Sequence, residues 1–430
     1  MAVTVGNIRY WLLKKFGSLF SRLEGKKNWP AKELYKITRC LWEAISHSKV
    51  YHIVSGVEYL STHPGSLITL KANRTGYATN AVVIGKNAKQ MLDQVPLPDM
   101  QLFCFSDVCV RYGSDFILNP QEHLAINDYC ATIDDSNKTY VDESIYLYDG
   151  KVVITKKWEG HTKIESGIML VGKFSFNYYH NIFENLIKLL VIEEINERIP
   201  DDVPVIVDET IINVPNFKRI YNILSTHIRR KMVIVHKNEL VDIQKLYYIS
   251  SVNYIVPEHK DFLKGSYVDY IFDKEYTLKL RNKLLPFASK ENYTKRIFIT
   301  RKNTKHRNFN EEELFAILEP LGFKKIAPEE FSIEEQIGLF NGADWIIGGS
   351  GAAFTNLLFC SPGCKIVCLF RNSQYIAPVF STIACFNDAD LMYFTSSNTE
   401  KPNILHSDFV IEKMRFQQFV DDCIAPTITD

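Results

Sequence analysis

His180 and Glu184 stand four residues apart in the run YYHNIFENL, so on a helix they share one face. A histidine so placed could take a proton from a hydroxyl group. A carboxylate one turn on could orient the ring and stabilise the imidazolium. The plainer alternative is a helix-start histidine hydrogen-bonded in the core, with Glu184 paired to Lys188. Asn177, Tyr178, Tyr179 and Asn181 add a polar and aromatic density that suits a sugar-binding wall, with Tyr179 and Asn181 as candidate acceptor contacts.

A second constellation lies between residues 296 and 370. The apolar run Ile297-Phe298-Ile299 stops at Thr300, and the loop beyond it carries Arg301, Lys302, Lys305, His306 and Arg307. Further on, Trp345-Ile346-Ile347 runs into Gly348-Gly349-Ser350-Gly351, with a helix expected from Ala352. Loops at the carboxyl ends of strands line the ligand crevice of an open α/β sheet. A glycine turn at a helix N-terminus offers N–H groups to an anion, and guanidinium groups add charge and bidentate geometry. The pattern therefore points to a phosphate or diphosphate ligand, although a basic run can also be only solvated loop charge. Thr355 and Asn356 follow in the first turns of that helix, facing the crevice or serving as ordinary helix residues. Ser332 and Glu335 read first as a capping box, with contact to ribose hydroxyls as the competing use of the same carboxylate. Asp388-Ala389-Asp390 has the DxD form of a metal-diphosphate site, but it comes late and follows no strongly apolar strand, so it is read as accidental.

Lys plus Arg and Asp plus Glu both number 50, so nothing draws the whole chain toward nucleic acid and any anion site is local. The 430 residues suffice for two or three domains, and 46% hydrophobic with 23% charged residues is an ordinary globular balance. Nine cysteines without paired CxxC spacing read as free thiols in a reducing compartment. Cys360, Cys364 and Cys368 straddle a turn and a strand and make a poor zinc site. No apolar run approaches the roughly 20 residues of a membrane-spanning helix. Ile8, Trp11, Leu12, Phe16, Leu19, Phe20 and Leu23 do fall at helical spacing among Arg9, Lys14, Lys15 and Arg22. This basic amphipathic segment, residues 8–23, is either an anchor on an anionic membrane surface or a helix docked on protein.

The elements that must position these residues follow from periodicity. A helix is expected at 31–48, strands and turns from 50 to 175, and a hairpin in SIYLYDGKVVIT around Asp149-Gly150. Residues 178–197 form a strong amphipathic helix whose stripe is Phe183, Leu186, Ile187, Leu190 and Val191. Strands at 203–207, 232–235 and 246–250 and helices at 216–225 and 269–287 follow. The polar stretch Ser289–Thr294 marks a boundary before a second α/β unit, and a last helix at 408–423 is expected to pack back across it. The division is a helical extension (1–48), an α/β domain (49–290) and a second α/β domain (291–430), with a cleft between the two.

Residues about 170–200 and 295–370 resemble glycosyltransferase family 61, which includes capsule and lipopolysaccharide enzymes of bacteria and eukaryotic xylosyl- and N-acetylglucosaminyltransferases. The matching motifs are Tyr178-Tyr179-His180 with Glu184, Ile299-Thr300-Arg301 with Arg307, Phe331 to Gln336, and Gly348 to Asn356 followed by Pro362-Gly363. The resemblance implies a GT-B fold, two Rossmann-like domains facing a cleft, and metal-independent, inverting transfer from a nucleotide-sugar co-substrate to a glycan or glycolipid. It implies no cofactor and no metal. Arg301, Lys305, Arg307, Gly349, Ser350, Gly351, Ala352, Thr355 and Asn356 would hold the donor, Glu335 its nucleoside, and His180 would be the base, backed by Glu184. Such an enzyme would be cytoplasmic, peripheral on the inner face of the membrane, and active in surface polysaccharide synthesis. One departure stands out: the family's His-Gly-Ala-Gly turn is Ser350-Gly351-Ala352-Ala353 here. The alternative is a non-catalytic nucleotide- or glycan-binding protein with a degenerate site. A phosphodiester-forming transferase is a third.

Overall fold

A computed structural model describes residues 48–86, 89–132, 137–302, 306–371, 376–397 and 407–428. The helices expected at 8–23 and 31–48 and the side chain of Lys305 lie outside the described residues.

Two sheets organise the chain. The second is the simpler: Arg296–Ile299, Lys324–Ile326, Trp345–Gly349, Lys365–Phe370 and Asp390–Thr395 are all parallel, ordered second-first-third-fourth-fifth. Its strands are apolar because both faces are covered. Ile297, Ile299, Ile346, Ile366 and Cys368 face one core. The alternating residues Phe298, Ile347, Val367 and Leu369 face another, with Leu314, Leu318, Phe416 and Phe419. This is the doubly wound arrangement expected of the donor half.

The first sheet departs from that expectation. It has eleven strands and is mixed. Met232–Val235, Val205–Asp208, Gly160–Met169 and Glu239–Ile249 run parallel in that spatial order. Met100–Arg111 then pairs antiparallel with Glu239–Ile249 along nearly its whole length. Strands joined by short turns, such as the hairpin Ile145–Tyr148 with Val152–Thr155 around Gly150 at φ 69°, can only pair antiparallel. The turn-rich residues 49–155 therefore add mostly antiparallel strands, with Lys49–Val54 parallel to Leu124–Ile126 as the exception, and do not form a second doubly wound sheet.

The long helix expected at 178–197 has three pieces: Tyr178–His180, a wide π turn over Asn181–Leu186, and Lys188–Glu194. Asn177 caps its start by accepting the Tyr179 N–H at 3.0 Å. Its apolar stripe is buried as the periodicity requires, in a core that also holds Leu280, Phe354, Phe380 and Ile383. One apolar layer thus runs from the first sheet's helices to the inner face of the second sheet. Polar links cross the same joint. Thr79 and Thr382 share a 3.0 Å hydrogen bond, and Val83 forms a parallel bridge with Tyr393 beside the second sheet. The last helix, Lys413–Phe419, stays on the second sheet, with Phe416 and Phe419 against Phe394. It does not cross to the first half as expected, because its aromatic stripe finds the sheet's own uncovered face.

Candidate functional site

In the second sheet the chain reverses direction of travel between Arg296–Ile299 and Trp345–Gly349, neighbours with Ile299 opposite Gly348. A reversal of this kind opens a crevice at the carboxyl ends of the two strands. Arg301 stands two residues beyond one strand and Ser350-Gly351 directly beyond the other. The Arg301 guanidinium donates to the Ser350 carbonyl at 2.8 Å and to the His306 carbonyl at 2.9 Å. Arg307 donates to the same Ser350 carbonyl at 3.4 Å, and its Nε is buried with no acceptor. Arg307 sits at φ 58°, a conformation that non-glycine residues occupy at a cost. Burial first, and the Arg307 charge second, lower the Arg301 pKa to about 10, and burial lowers Arg307 too. Two half-desolvated guanidiniums converging on one carbonyl would be relieved by an anion with several oxygens.

The glycines make room for this arrangement. A Cβ on Gly349 would come within 2.7 Å of the Phe309 ring and 2.8 Å of Arg301 Cδ, and one on Gly351 would overlap the Arg301 guanidinium. Arg371, which follows the strand Lys365–Phe370, lines a small cavity with Arg307 and Ser350, and burial lowers its pKa. The sequence reading passed it over, although a basic residue ending an apolar strand was the signal that found Arg301. Lys302, by contrast, is an exposed charge paired with Glu330 at 2.9 Å.

Other expected donor residues take different places. The Ser350 N–H donates to the Leu369 carbonyl at 3.1 Å, extending the sheet rather than facing an anion. Ala352–Phe359 is a 3-10 segment, not an α-helix, with Ala352 half-buried against the apolar layer. Thr355 and Asn356 are buried. Asn356 accepts from the Tyr178 hydroxyl at 2.8 Å and donates to Gln336 at 2.8 Å, so it ties the two halves together. Glu335 closes a capping box, accepting the Ser332 N–H at 2.7 Å and hydroxyl at 2.6 Å, and these bonds lower its pKa. One carboxylate oxygen makes both bonds, so the other carries no capping contact.

The helix start brings together a second cluster. His180 Nδ1 is hydrogen-bonded to one oxygen of Glu184, and Lys173 Nζ to the other. Lys173 Nζ also binds Asp115 at 2.9 Å, and the Lys173 N–H donates to the same carboxylate at 3.0 Å. Lys188 is not the partner of Glu184; its ammonium lies over the Tyr248 ring, 5.2 Å from the centroid. Burial works to raise the Glu184 pKa, but Lys173 and His180 outweigh it and hold it at about 2. Burial likewise opposes the Lys173 charge, and Asp115 and Glu184 raise its pKa regardless. With Nδ1 engaged by a permanent carboxylate, Nε2 is the ring nitrogen left to meet a substrate. The His180 side chain keeps 20% of its surface exposed.

Local geometry explains the aim. The wide turn over Asn181–Leu186 is the rare helix form that recurs at functional sites. Phe174, at φ 51°, packs its ring 4.9 Å from the His180 ring, and Phe176 beside it is 53% exposed. A Cβ on Gly172 would overlap the Asn185 side chain, so the loop bearing Lys173 can lie against the helix only with glycine there. The buried Asp208 anchors that loop by accepting the N–H groups of Gly113 at 3.0 Å and Gly172 at 3.2 Å. Burial raises the Asp208 pKa to about 7. Tyr179 and Asn181, expected on an acceptor wall, are buried. Tyr179 packs against Phe183 and Phe380, and Asn181 donates to the Ser175 carbonyl at 2.5 Å. Lys173 and Asp115 were missed because nothing in their spacing ties them to His180.

Among the described residues no three His, Cys, Asp or Glu side chains are placed to hold a metal ion, and no helix is long and apolar enough to cross a membrane. Asp388-Ala389-Asp390 enters the last parallel strand, at the edge opposite the arginines. Cys360, Cys364 and Cys368 are free and buried.

The chain is thus a mixed α/β protein with arginines at the switch point of its parallel sheet and a carboxylate-backed histidine at the start of the Tyr178–Glu194 helix. Residues 178–367 match the family model described as glycosyltransferase 61. The span holds His180, Glu184, Arg301, Arg307, Glu335 and the glycine turn, whereas Asp115, Lys173 and Arg371 lie outside it. No curated protein matches the chain.

Proposed function

We propose that the protein is an inverting glycosyltransferase that moves a sugar from a nucleotide-sugar to a glycan acceptor without a metal ion. The observation that carries this reading is the convergence of Arg301 and Arg307 on the Ser350 carbonyl at the switch point of the parallel sheet. The donor diphosphate sits against these guanidiniums, with Arg371 beside them, and the nucleoside extends toward Glu335. In the transfer step the acceptor hydroxyl gives its proton to His180 Nε2 as its oxygen attacks the anomeric carbon. The bond from that carbon to the diphosphate oxygen breaks, and the nucleoside diphosphate leaves with its charge held by the arginines. Glu184, kept ionised by Lys173, stabilises the imidazolium. A single in-line displacement inverts the anomeric configuration. The parallel sheet acts as the donor side and the mixed sheet as the acceptor side. The role is surface polysaccharide assembly, capsule or lipopolysaccharide, at the inner face of the cytoplasmic membrane, held there by residues 8–23.

A second reading has one specific support. Ser350 replaces the histidine of the family's glycine turn, and its N–H is committed to Leu369. On that reading the site binds a nucleotide-sugar without turnover. Thermal unfolding against UDP, CMP, GDP and their sugar conjugates, with and without EDTA, tests both. A ligand at a hundred times its dissociation constant adds about 2.7 kcal/mol of stability. An EDTA-insensitive shift with one nucleotide class, accompanied by slow hydrolysis of its sugar conjugate, is the expected result. A shift without hydrolysis selects the binding protein, and no shift with any nucleotide removes the donor-site reading.

A further inference from the structure

A cavity of 390 Å³ opens on the face of the Lys173–Glu184 pair, in the first half of the chain. Its volume lies within the roughly 300–1,000 Å³ range of ligand pockets. Lys173, Glu184, Lys188, Tyr140, Tyr248 and Ser250 are on its wall. Most of the wall lies before residue 178 or after residue 247, and Asp115 and Lys173 precede the family span altogether.

The wall carries four carboxylates, Asp99, Asp115, Asp128 and Glu184, and two lysines, Lys173 and Lys188. Lys173 is shared by Asp115 and Glu184, so those carboxylates already have their cation. Asp99 and Asp128 accept the backbone N–H groups of Asn73 and Gly56, each at 2.9 Å or less. Lys188 is different. Only 5% of its surface is exposed, and no carboxylate lies within ion-pair distance among the described residues. Its contact is the face of Tyr248. Burial lowers its pKa; the charges of Asp115 and Glu184 work against that shift without hydrogen-bonding the ammonium, and Lys173 adds to it. A buried ammonium without a paired counter-ion costs several kcal/mol, so a site that retains it gains most when an anion enters. The rest of the wall suits a pyranose ring: tyrosine faces for its C–H surface, and hydroxyl, amide and carboxylate groups for its hydroxyls.

We infer that this cavity binds an acidic sugar residue, with Lys188 pairing its anionic group and Tyr248 lying against its ring. Glu184 connects the two sites: one oxygen faces Lys173 on the cavity side and the other holds His180. That a glycan with such a residue is the acceptor rests on the transferase reading; the binding of an acidic sugar does not.

The test is isothermal titration of the full chain with paired disaccharides that differ only in an acidic group. Cellobiuronic acid against cellobiose is the first pair, followed by galacturonate- and sialate-terminated disaccharides against neutral counterparts. At least one acidic member is expected to bind tenfold or more tightly than its neutral partner. Lys188→Met should abolish the difference while leaving the melting temperature equal or higher, since a buried lone charge is replaced by an apolar chain of similar length. Equal binding of acidic and neutral members, no binding by any pair, or an unchanged preference in Lys188→Met overturns the inference. If Lys188→Met does not fold, the wild-type pairs decide alone. Nucleotide-induced stabilisation of the same preparations reports on the donor site separately, so loss of one conclusion leaves the other standing.

Discussion

Glu184→Gln is the substitution that most directly questions the role given to the His180 cluster. The change keeps the side chain's shape and one acceptor oxygen but removes the charge shared by Lys173 and His180. The folded protein holds the Glu184 pKa at about 2, against an ordinary 4.5. At about 1.36 kcal/mol per pH unit, that difference represents on the order of 3 kcal/mol. Because the folded value is depressed, this stability is present above pH 4.5 and disappears as pH falls toward 2. The Gln variant should therefore be less stable than wild type by about that amount at pH 7, with the gap closing between pH 4.5 and 2. Denaturant unfolding at a series of pH values measures it. Loss of the carboxylate should also slow transfer about a hundredfold or more, the scale of positioned acid–base groups, while donor-induced stabilisation is unchanged. A stability gap under about 0.5 kcal/mol at pH 7 would refute the charge argument. A full gap with unimpaired transfer would make the cluster structural only.

Three further changes separate the parts of the site. His180→Ala should abolish transfer and leave nucleotide-induced stabilisation intact; normal turnover would mean another base. Gly351→Ala places a methyl group against the far end of the Arg301 side chain, which can move, at a residue whose extended φ of 175° any amino acid adopts. The melting temperature should stay within a few degrees of wild type while donor affinity falls about tenfold or more, as expected when a charge-assisted hydrogen bond is misdirected; undiminished affinity would remove Arg301 from the donor site. Asp208, with a pKa raised from 3.8 to about 7, contributes its full stability below pH 4 and loses it as pH rises to 7. Asp208→Asn should flatten this loss, on the order of 4 kcal/mol across the window, and parallel pH profiles for the two proteins would contradict the assignment.

The parts of the fold legible in the sequence are those governed by local spacing. Residues 297–299, 345–347 and 366–370 are apolar runs too short for helices, and each becomes a strand of the doubly wound sheet. The stripe from Phe183 to Val191 is buried, Ser332 and Glu335 cap their helix, and Gly150 turns its hairpin. The basic residues at strand ends were legible for the same reason, since a strand that stops at an arginine places that arginine at the sheet's edge.

What the tertiary structure alone decided are contacts between residues with no shared periodicity. Tyr178 reaches Asn356 across 178 positions, and Asp115 reaches Lys173 across 58. Helical spacing proposed Lys188 as the partner of Glu184, yet the loop after Gly160–Met169 delivers Lys173 to that carboxylate and leaves Lys188 over Tyr248. Spacing also could not tell which side of the 178–194 helix would be covered, so Tyr179 and Asn181 suggested a sugar wall when Phe380 covers Tyr179 and the Ser175 loop holds Asn181. A sequence records what each segment prefers by itself. Which carboxylate gains a cation, and which cation is left in a cavity without one, depends on where the folded chain returns, and that is fixed only when both sheets have packed on their common apolar layer.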